Sequence, residues 1–116
     1  MLPAGYGMSA LTLPPSIEYL ASDISMTSLQ VFFEGNVQGV GFRWTVRDIA
    51  KGFDVTGWAR NLVDGRVEMQ VSGEEAEVRA FVDAVMKSEL RGHIHKHSEH
   101  NLEQPVAARG FEIRHD

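Results

Sequence analysis

Leu29-Gln30-Val31-Phe32-Phe33-Glu34-Gly35-Asn36-Val37-Gln38-Gly39-Val40-Gly41-Phe42-Arg43 is the stretch that decides the fold. At its start Leu29, Val31 and Phe33 alternate with Gln30 and Glu34, as the residues of a half-buried strand do. Glycines at 35, 39 and 41 then break the pattern. Beyond them Phe42, Val46, Ile49, Ala50 and Phe53 fall at helical spacing, and Gly52 is placed to stop the helix. A strand that passes through a glycine-rich loop into a helix opens a βαβ unit.

Downstream, Val55 to Leu62 reads as a second strand and Asp64-Gly65 as a hairpin turn. Val67, Met69 and Val71 alternate with Arg66, Glu68 and Gln70, which gives a third strand. Ser72 and Glu75 have capping-box spacing. Val78, Phe81, Val82 and Val85 form the apolar stripe of a second helix, with Glu74, Glu75 and Glu77 in a first turn that suits the helix dipole. Gly92 to His97 is a weaker strand, Pro105 ends it, and Phe111 to His115 makes a short last one. The order is β-α-β-β-α-β with a short extra strand. It predicts an α+β, ferredoxin-like sandwich: one mostly antiparallel sheet with two helices on one face.

The 116 residues fit one domain, and 43% apolar content supports a real core. A net charge of −5 argues against a general grip on nucleic acid or anionic membrane. With no cysteine, disulfides, thiolate nucleophiles and Cys-based zinc sites are excluded. No apolar run is long enough to span a bilayer. Met1 to Ser28 has no Lys or Arg, fits neither a secretory signal nor a transit peptide, and leaves a cytoplasmic protein as the expectation. This stretch also holds Pro3, Pro14 and Pro15 and reads as a loosely ordered extension, with a short helix at Ile17 to Ala21. The expected boundaries are 1–28 for the extension and 29–116 for the domain.

Two residues stand out chemically. The loop from Asn36 through Val37, Gln38, Gly39, Val40 and Gly41 to Phe42 opens a helix whose first N–H groups are unpaired and partly positive, so it can cradle an anion. It is neither a Walker A loop, which needs a Gly-Lys-Ser/Thr ending, nor a dinucleotide fingerprint. Arg43 sits in the first helical turn, where a cation opposes the dipole at a cost of about 0.3–1 kcal/mol. A bound anion would remove that conflict, and a planar guanidinium can hold two phosphate oxygens at once. Without a ligand, Arg43 would simply be a solvated helix arginine. Asn61 ends a strand face otherwise made of Val55, Gly57 and Ala59. It is either a polar exit before the turn or a residue aimed into a site.

Gly35 to Arg43 resembles the first motif of the acylphosphatase family. Gly57-Trp58-Ala59-Arg60-Asn61, followed by Asp64-Gly65-Arg66-Val67-Glu68 and Gly73, resembles the second. The likeness runs from Leu29 to Asp116 and includes Gly110-Phe111-Glu112-Ile113-Arg114. It implies a ferredoxin-like fold and hydrolysis of small-molecule acyl phosphates, with Arg43 binding the phosphoryl group and Asn61 positioning water. Backbone N–H groups from Asn36 to Phe42 would hold phosphoryl oxygens, while Gln38 braces the loop. No metal and no cofactor is expected, nor any nucleic-acid or membrane partner, and the chain is expected to act as a monomer.

Some features lie outside the resemblance. The leader has no family counterpart. His93, His95 and His97 would share one strand face within the histidine-rich stretch up to His100; the sharp reading is a metal site, the plain one a solvent face opposite Ile94. Trp44 and Trp58 read as packing residues. The competing reading of the whole chain is a non-catalytic acylphosphatase-like binding module for a partner or an RNA. An RNA-binding sheet would need paired outward aromatics and a basic face, and Phe32 is the first strand's one outward aromatic. Because acylphosphatase-like domains also stand at the front of larger proteins, the end of this chain at the domain favours a free-standing enzyme.

Overall fold

A computed structural model describes residues 25–115, so the short helix expected at Ile17 to Ala21 lies outside the described residues. The elements run β1 (Met26–Gly35), α1 (Phe42–Ala50), β2 (Val55–Asn61), β3 (Val67–Glu74), α2 (Glu75–Met86), a 3-10 turn (Glu89–His93), β4 (Ile94–Asn101) and β5 (Phe111–Arg114). β1 thus starts at Met26, ahead of Leu29. Its first residues pair with the end of β3, Met26 opposite Glu74 and Ser28 opposite Ser72.

The five strands form one sheet in the order β4-β1-β3-β2-β5. β1 runs antiparallel to both β3 and β4, and β2 antiparallel to β3. β5 adds to the edge, parallel to β2. Both helices pack on the same face, as the ferredoxin-like reading expects. Leu29, Val31, Phe33, Val67, Met69, Val71, Val55 and Ala59 come from the sheet, Phe42, Val46 and Ala50 from α1, and Val78, Phe81, Val82 and Val85 from α2; all belong to one buried cluster. Aromatic contacts tie its parts together. Phe33 meets Phe42 with ring centroids 5.0 Å apart, and Phe81 meets Phe53 at 5.9 Å and Phe111 at 5.5 Å. Each buried aromatic of this kind removes a large apolar area from water. Phe53 lies beyond the end of α1 yet still packs on the core.

Because β1 and β2 both oppose β3, they run in the same direction, and β5 runs with β2. Their C-terminal ends therefore emerge at one edge of the sandwich. This places Gly35, Asn61 and Arg114 at the same end of the molecule, although they are far apart in the chain.

The opposite sheet face carries a polar network. Glu68 is only 4% exposed. It accepts hydrogen bonds from Gln30 Nε2 at 2.7 Å, Arg60 Nε at 2.9 Å and Gln70 Nε2 at 3.0 Å. Burial by itself would push this carboxyl up; the three hydrogen bonds and the Arg60 charge outweigh it and hold Glu68 below the ordinary glutamate range. Next to it Trp58 is buried, with the Arg60 and Arg114 guanidinium carbons 5.2 and 4.9 Å from its ring. Phe32 is covered in the same way by Arg66 at 4.5 Å. These arginines are also engaged by Glu68, Glu112 and Asp64, so the aromatics of this face are already stacked within the fold.

Three local expectations need correction. Ser72 does not cap α2: it lies in β3, its hydroxyl 2.7 Å from Ser28 Oγ and accepting from Val106 N, and Glu74 stands at the helix N-cap. Trp44 is not a packing residue, being 65% exposed, because it falls off the Phe42–Val46–Ala50 stripe of α1. The fourth strand begins at Ile94, and the 3-10 turn takes His93 off it, so three histidines do not share a strand face. His95 and His97 are exposed and Ile94 is partly buried, as the plain solvent-face reading expects. His97 pairs with Phe33 and stacks on its ring, and Glu99 beside it receives Arg79 from α2 at 2.9 Å.

Candidate active site

The loop between β1 and α1 is launched by a register shift at Glu34/Gly35, where β1 leaves β4. Gly35 has φ +133, and a Cβ there would lie 2.4 Å from the His93 carbonyl oxygen, so only glycine fits. The next residue, Asn36, donates its N–H to that same carbonyl at 3.0 Å. The Asn36 N–H is thereby withdrawn from the anion cradle expected of it. From Val37 to Gly41 the N–H groups make no hydrogen bond to another described residue. Gly41, at φ 75, is the N-cap of α1 and contributes no side-chain cap. The helix consequently begins with bare N–H groups on Phe42, Arg43 and Trp44. Its first turn contains no acidic residue.

Gln38 holds this loop against the β2–β3 hairpin. Its Nε2 donates to the Leu62 carbonyl at 2.7 Å and to the Arg66 carbonyl at 2.9 Å. The bracing expected of Gln38 is thus a pair of side-chain bonds to both arms of the hairpin. Val37 is fully buried beneath the loop.

Asn61 closes β2 opposite Val67, which in turn pairs with Phe33. By alternation it lies on the helix-facing side, in line with Ala59, below the N-terminus of α1. Its Oδ1 is buried and accepts no hydrogen bond within the described structure. A buried carbonyl oxygen left in that state costs about 1–3 kcal/mol. Arg43 reaches the same place from above. Its Nη1 donates to the Arg114 carbonyl at 3.0 Å and stands 3.3 Å from His115 Nδ1. One end of the guanidinium is thus fixed by the end of β5, while Nε and Nη2 make no hydrogen bond to another described residue.

Val37, Gly39, Gly41, Phe42, Arg43, Trp44 and Asn61 together line a small cavity of about 80 Å³. Its wall joins bare amides and a guanidinium to one unsatisfied carbonyl oxygen. The first two suit a compact anion, and the third suits a donor such as water. The structure brings Arg43, Asn61, Val37, Gly39, Gly41 and Phe42 to one pocket; Gln38 and Val40 are not among its lining residues, and the Asn36 N–H is turned to His93. Sequence reasoning missed two contributors. The Arg114 carbonyl anchors Arg43, an arrangement no local pattern reveals. Trp44 forms part of the wall, and its place off the apolar helix stripe was the available signal. Among the described residues no group of three or more His, Asp or Glu side chains is arranged to hold a metal ion. No helix among them is long and apolar enough to cross a membrane.

Residues 29–113 match the family model described as Acylphosphatase. An acylphosphatase of Haloarcula marismortui is 41% identical over 88 residues, covering 76% of this chain and 96% of the relative. One of Methanospirillum hungatei is 37% identical over 92 residues, 78% of this chain and 100% of the relative. The crystal structure of acylphosphatase from Bacillus subtilis superposes with a TM-score of 0.69 at 31% identity, covering 76% of this chain and 98% of that one.

Proposed function

The chain belongs to the acylphosphatase family and hydrolyses acyl phosphates to a carboxylate and inorganic phosphate, and from this premise we propose how its residues do so. The phosphoryl group of a small-molecule acyl phosphate enters the cavity between the loop and α1. N–H groups of Val37, Gln38, Gly39, Val40 and Gly41, with that of Phe42 at the helix start, surround its oxygens, and Arg43 adds charge-assisted bonds from Nε and Nη2. Asn36 serves the loop's shape and does not contact the ligand.

Asn61 Oδ1 accepts a hydrogen bond from water and aims it at phosphorus. The water oxygen forms the new bond to phosphorus while the bond from phosphorus to the acyl oxygen breaks, its electron pair leaving on the carboxylate. A carboxamide is a poor base, so the water proton passes to a phosphoryl oxygen. The leaving carboxylate needs no strong acid, and positioning with charge stabilisation carries the reaction. Arginine and main-chain amides supply the positive charge, so turnover needs neither metal nor cofactor. We propose a monomer in the cytoplasm, without nucleic-acid partners. We also set the start of the catalytic unit at Met26, with the extension before it.

The observation that carries this reading is the unsatisfied Asn61 oxygen beside Arg43 and the bare amides. The test is hydrolysis of benzoyl phosphate with and without a chelator. Turnover should survive chelation, vanish in Arg43→Ala and in Asn61→Ala, and be inhibited competitively by inorganic phosphate. Full activity in either variant would refute the assignment.

A further inference from the structure

The cavity accounts for the phosphoryl half of the substrate and leaves the acyl half outside it. What surrounds the mouth is unusual for a protein surface. Among the described residues the large hydrophobic side chains left exposed are Met26, Val40, Trp44 and Val63. Three of these four sit at this end. Val40 lies in the loop between Gly39 and Gly41, which both line the cavity, and Trp44 lines it directly. Val63, fully exposed, follows Asn61 on the turn whose Leu62 carbonyl receives the Gln38 side chain. Isolated exposed apolar residues are ordinary, whereas a group of them at the rim of a polar pocket marks a ligand surface.

Trp44 is also held in place. The Arg47 guanidinium carbon is 4.0 Å from its ring centroid, so one face of the indole is covered and the other is left open. Trp44 lines both the phosphoryl cavity and a groove of about 330 Å³ along α1, lined also by Arg47, Asp48 and Lys51. A fixed, half-covered indole beside a phosphate site is a stacking platform.

We propose that Trp44, with Val40 and Val63 exposed at the same end of the molecule, receives the acyl group, and that this chain favours acyl phosphates with an aromatic or bulky apolar acyl part over small ones. The proposal deepens the preceding reading and rests on it. An aromatic acyl group placed on the open indole face loses water from both surfaces, whereas an acetyl group is too short to cover the ring.

The test compares kcat/KM for benzoyl phosphate and acetyl phosphate in the parent, Trp44→Ala and Trp44→Phe. In Trp44→Ala the benzoyl-to-acetyl ratio should fall about tenfold, mainly through KM for benzoyl phosphate, and Trp44→Phe should recover most of it. A ratio in Trp44→Ala equal to the parent's, with Arg43→Ala inactive, overturns the platform and spares the phosphate site. Full turnover in Arg43→Ala would sink the phosphate site, and the platform would fall with it.

Discussion

At the scale of single residues, the site keeps groups that stability alone would not choose. Arg43 opposes the dipole of its own helix, and Asn61 buries an oxygen that has no hydrogen-bond partner among the described residues. Removing either should therefore cost activity and little stability. Asn61→Ala is expected to lower kcat by about 10²–10³-fold, the usual effect of deleting one group that acts in the transition state. Its urea midpoint should be no lower than the parent's, because an unsatisfied acceptor leaves with the side chain. A clearly lower midpoint would mean that the oxygen has a structural partner. Arg43→Lys keeps the charge but loses the planar fork, and should recover only a small part of the activity lost in Arg43→Ala. Equal rates for lysine and arginine at this position would show that a point charge suffices.

The elements that carry these residues have their own tolerances. A Cβ at Gly57 would lie 2.1 Å from the Gln70 carbonyl oxygen of the adjacent strand. Gly57→Ala should cost about 1–3 kcal/mol by forcing β2 and β3 apart, measurable as a reduced urea midpoint. Gln38→Ala tests a different property. It removes both bonds from the loop to the hairpin, so KM for the substrate should rise while the midpoint changes little. An unchanged KM would show that the loop holds its shape without them. Elements of this kind were largely legible in the sequence. Period-two alternation marked β1 and β3, and the 3.6-residue stripe marked both helices, because each buries one face. The Ser72 reading failed because capping spacing is a local signal, and β3 continues through it to reach Met26 on β1. His93 does not share a face with His95 and His97 because the 3-10 turn ends on it, and a strand of mostly polar residues gives no clear alternation from which to read where it starts. Arg43 and Asn61 could be singled out because each conflicts with its local surroundings. The Arg114 carbonyl could not, since a main-chain group has no residue type to betray it.

Over the whole molecule, the two sheet faces are held by different means. The helix side buries the apolar core, whereas the other is organised around Glu68. Since its pKa is lower in the folded state, the unfolded chain takes up a proton first as pH falls, and stability drops as pH descends through the folded value. The stabilisation is fully present above the ordinary glutamate pKa. Glu68→Gln sets an amide N–H against the donors of Gln30, Gln70 and Arg60, and should cost about 1–3 kcal/mol at pH 7. The gap between variant and parent should narrow in acid, and a gap that stays constant from neutral pH to about pH 3 would remove Glu68 from the account. β1 adds a second prediction at this scale. A chain starting at Ser25 should match the full chain in rate and midpoint, whereas one starting at Leu29 loses the Met26–Ser28 pairing and the bond from Ser28 to Ser72, and should melt earlier. Equal melting of the two truncated chains would show that the first residues of β1 contribute nothing.

The convergence of β1, β2 and β5 at one edge also sets when the catalyst exists. Arg43 is steadied by an atom 71 positions further along, so the enzyme is unfinished until its last strand has docked. During renaturation from urea, regained turnover should therefore lag behind regained helical circular dichroism, and catalysis becomes a clock for the final act of assembly.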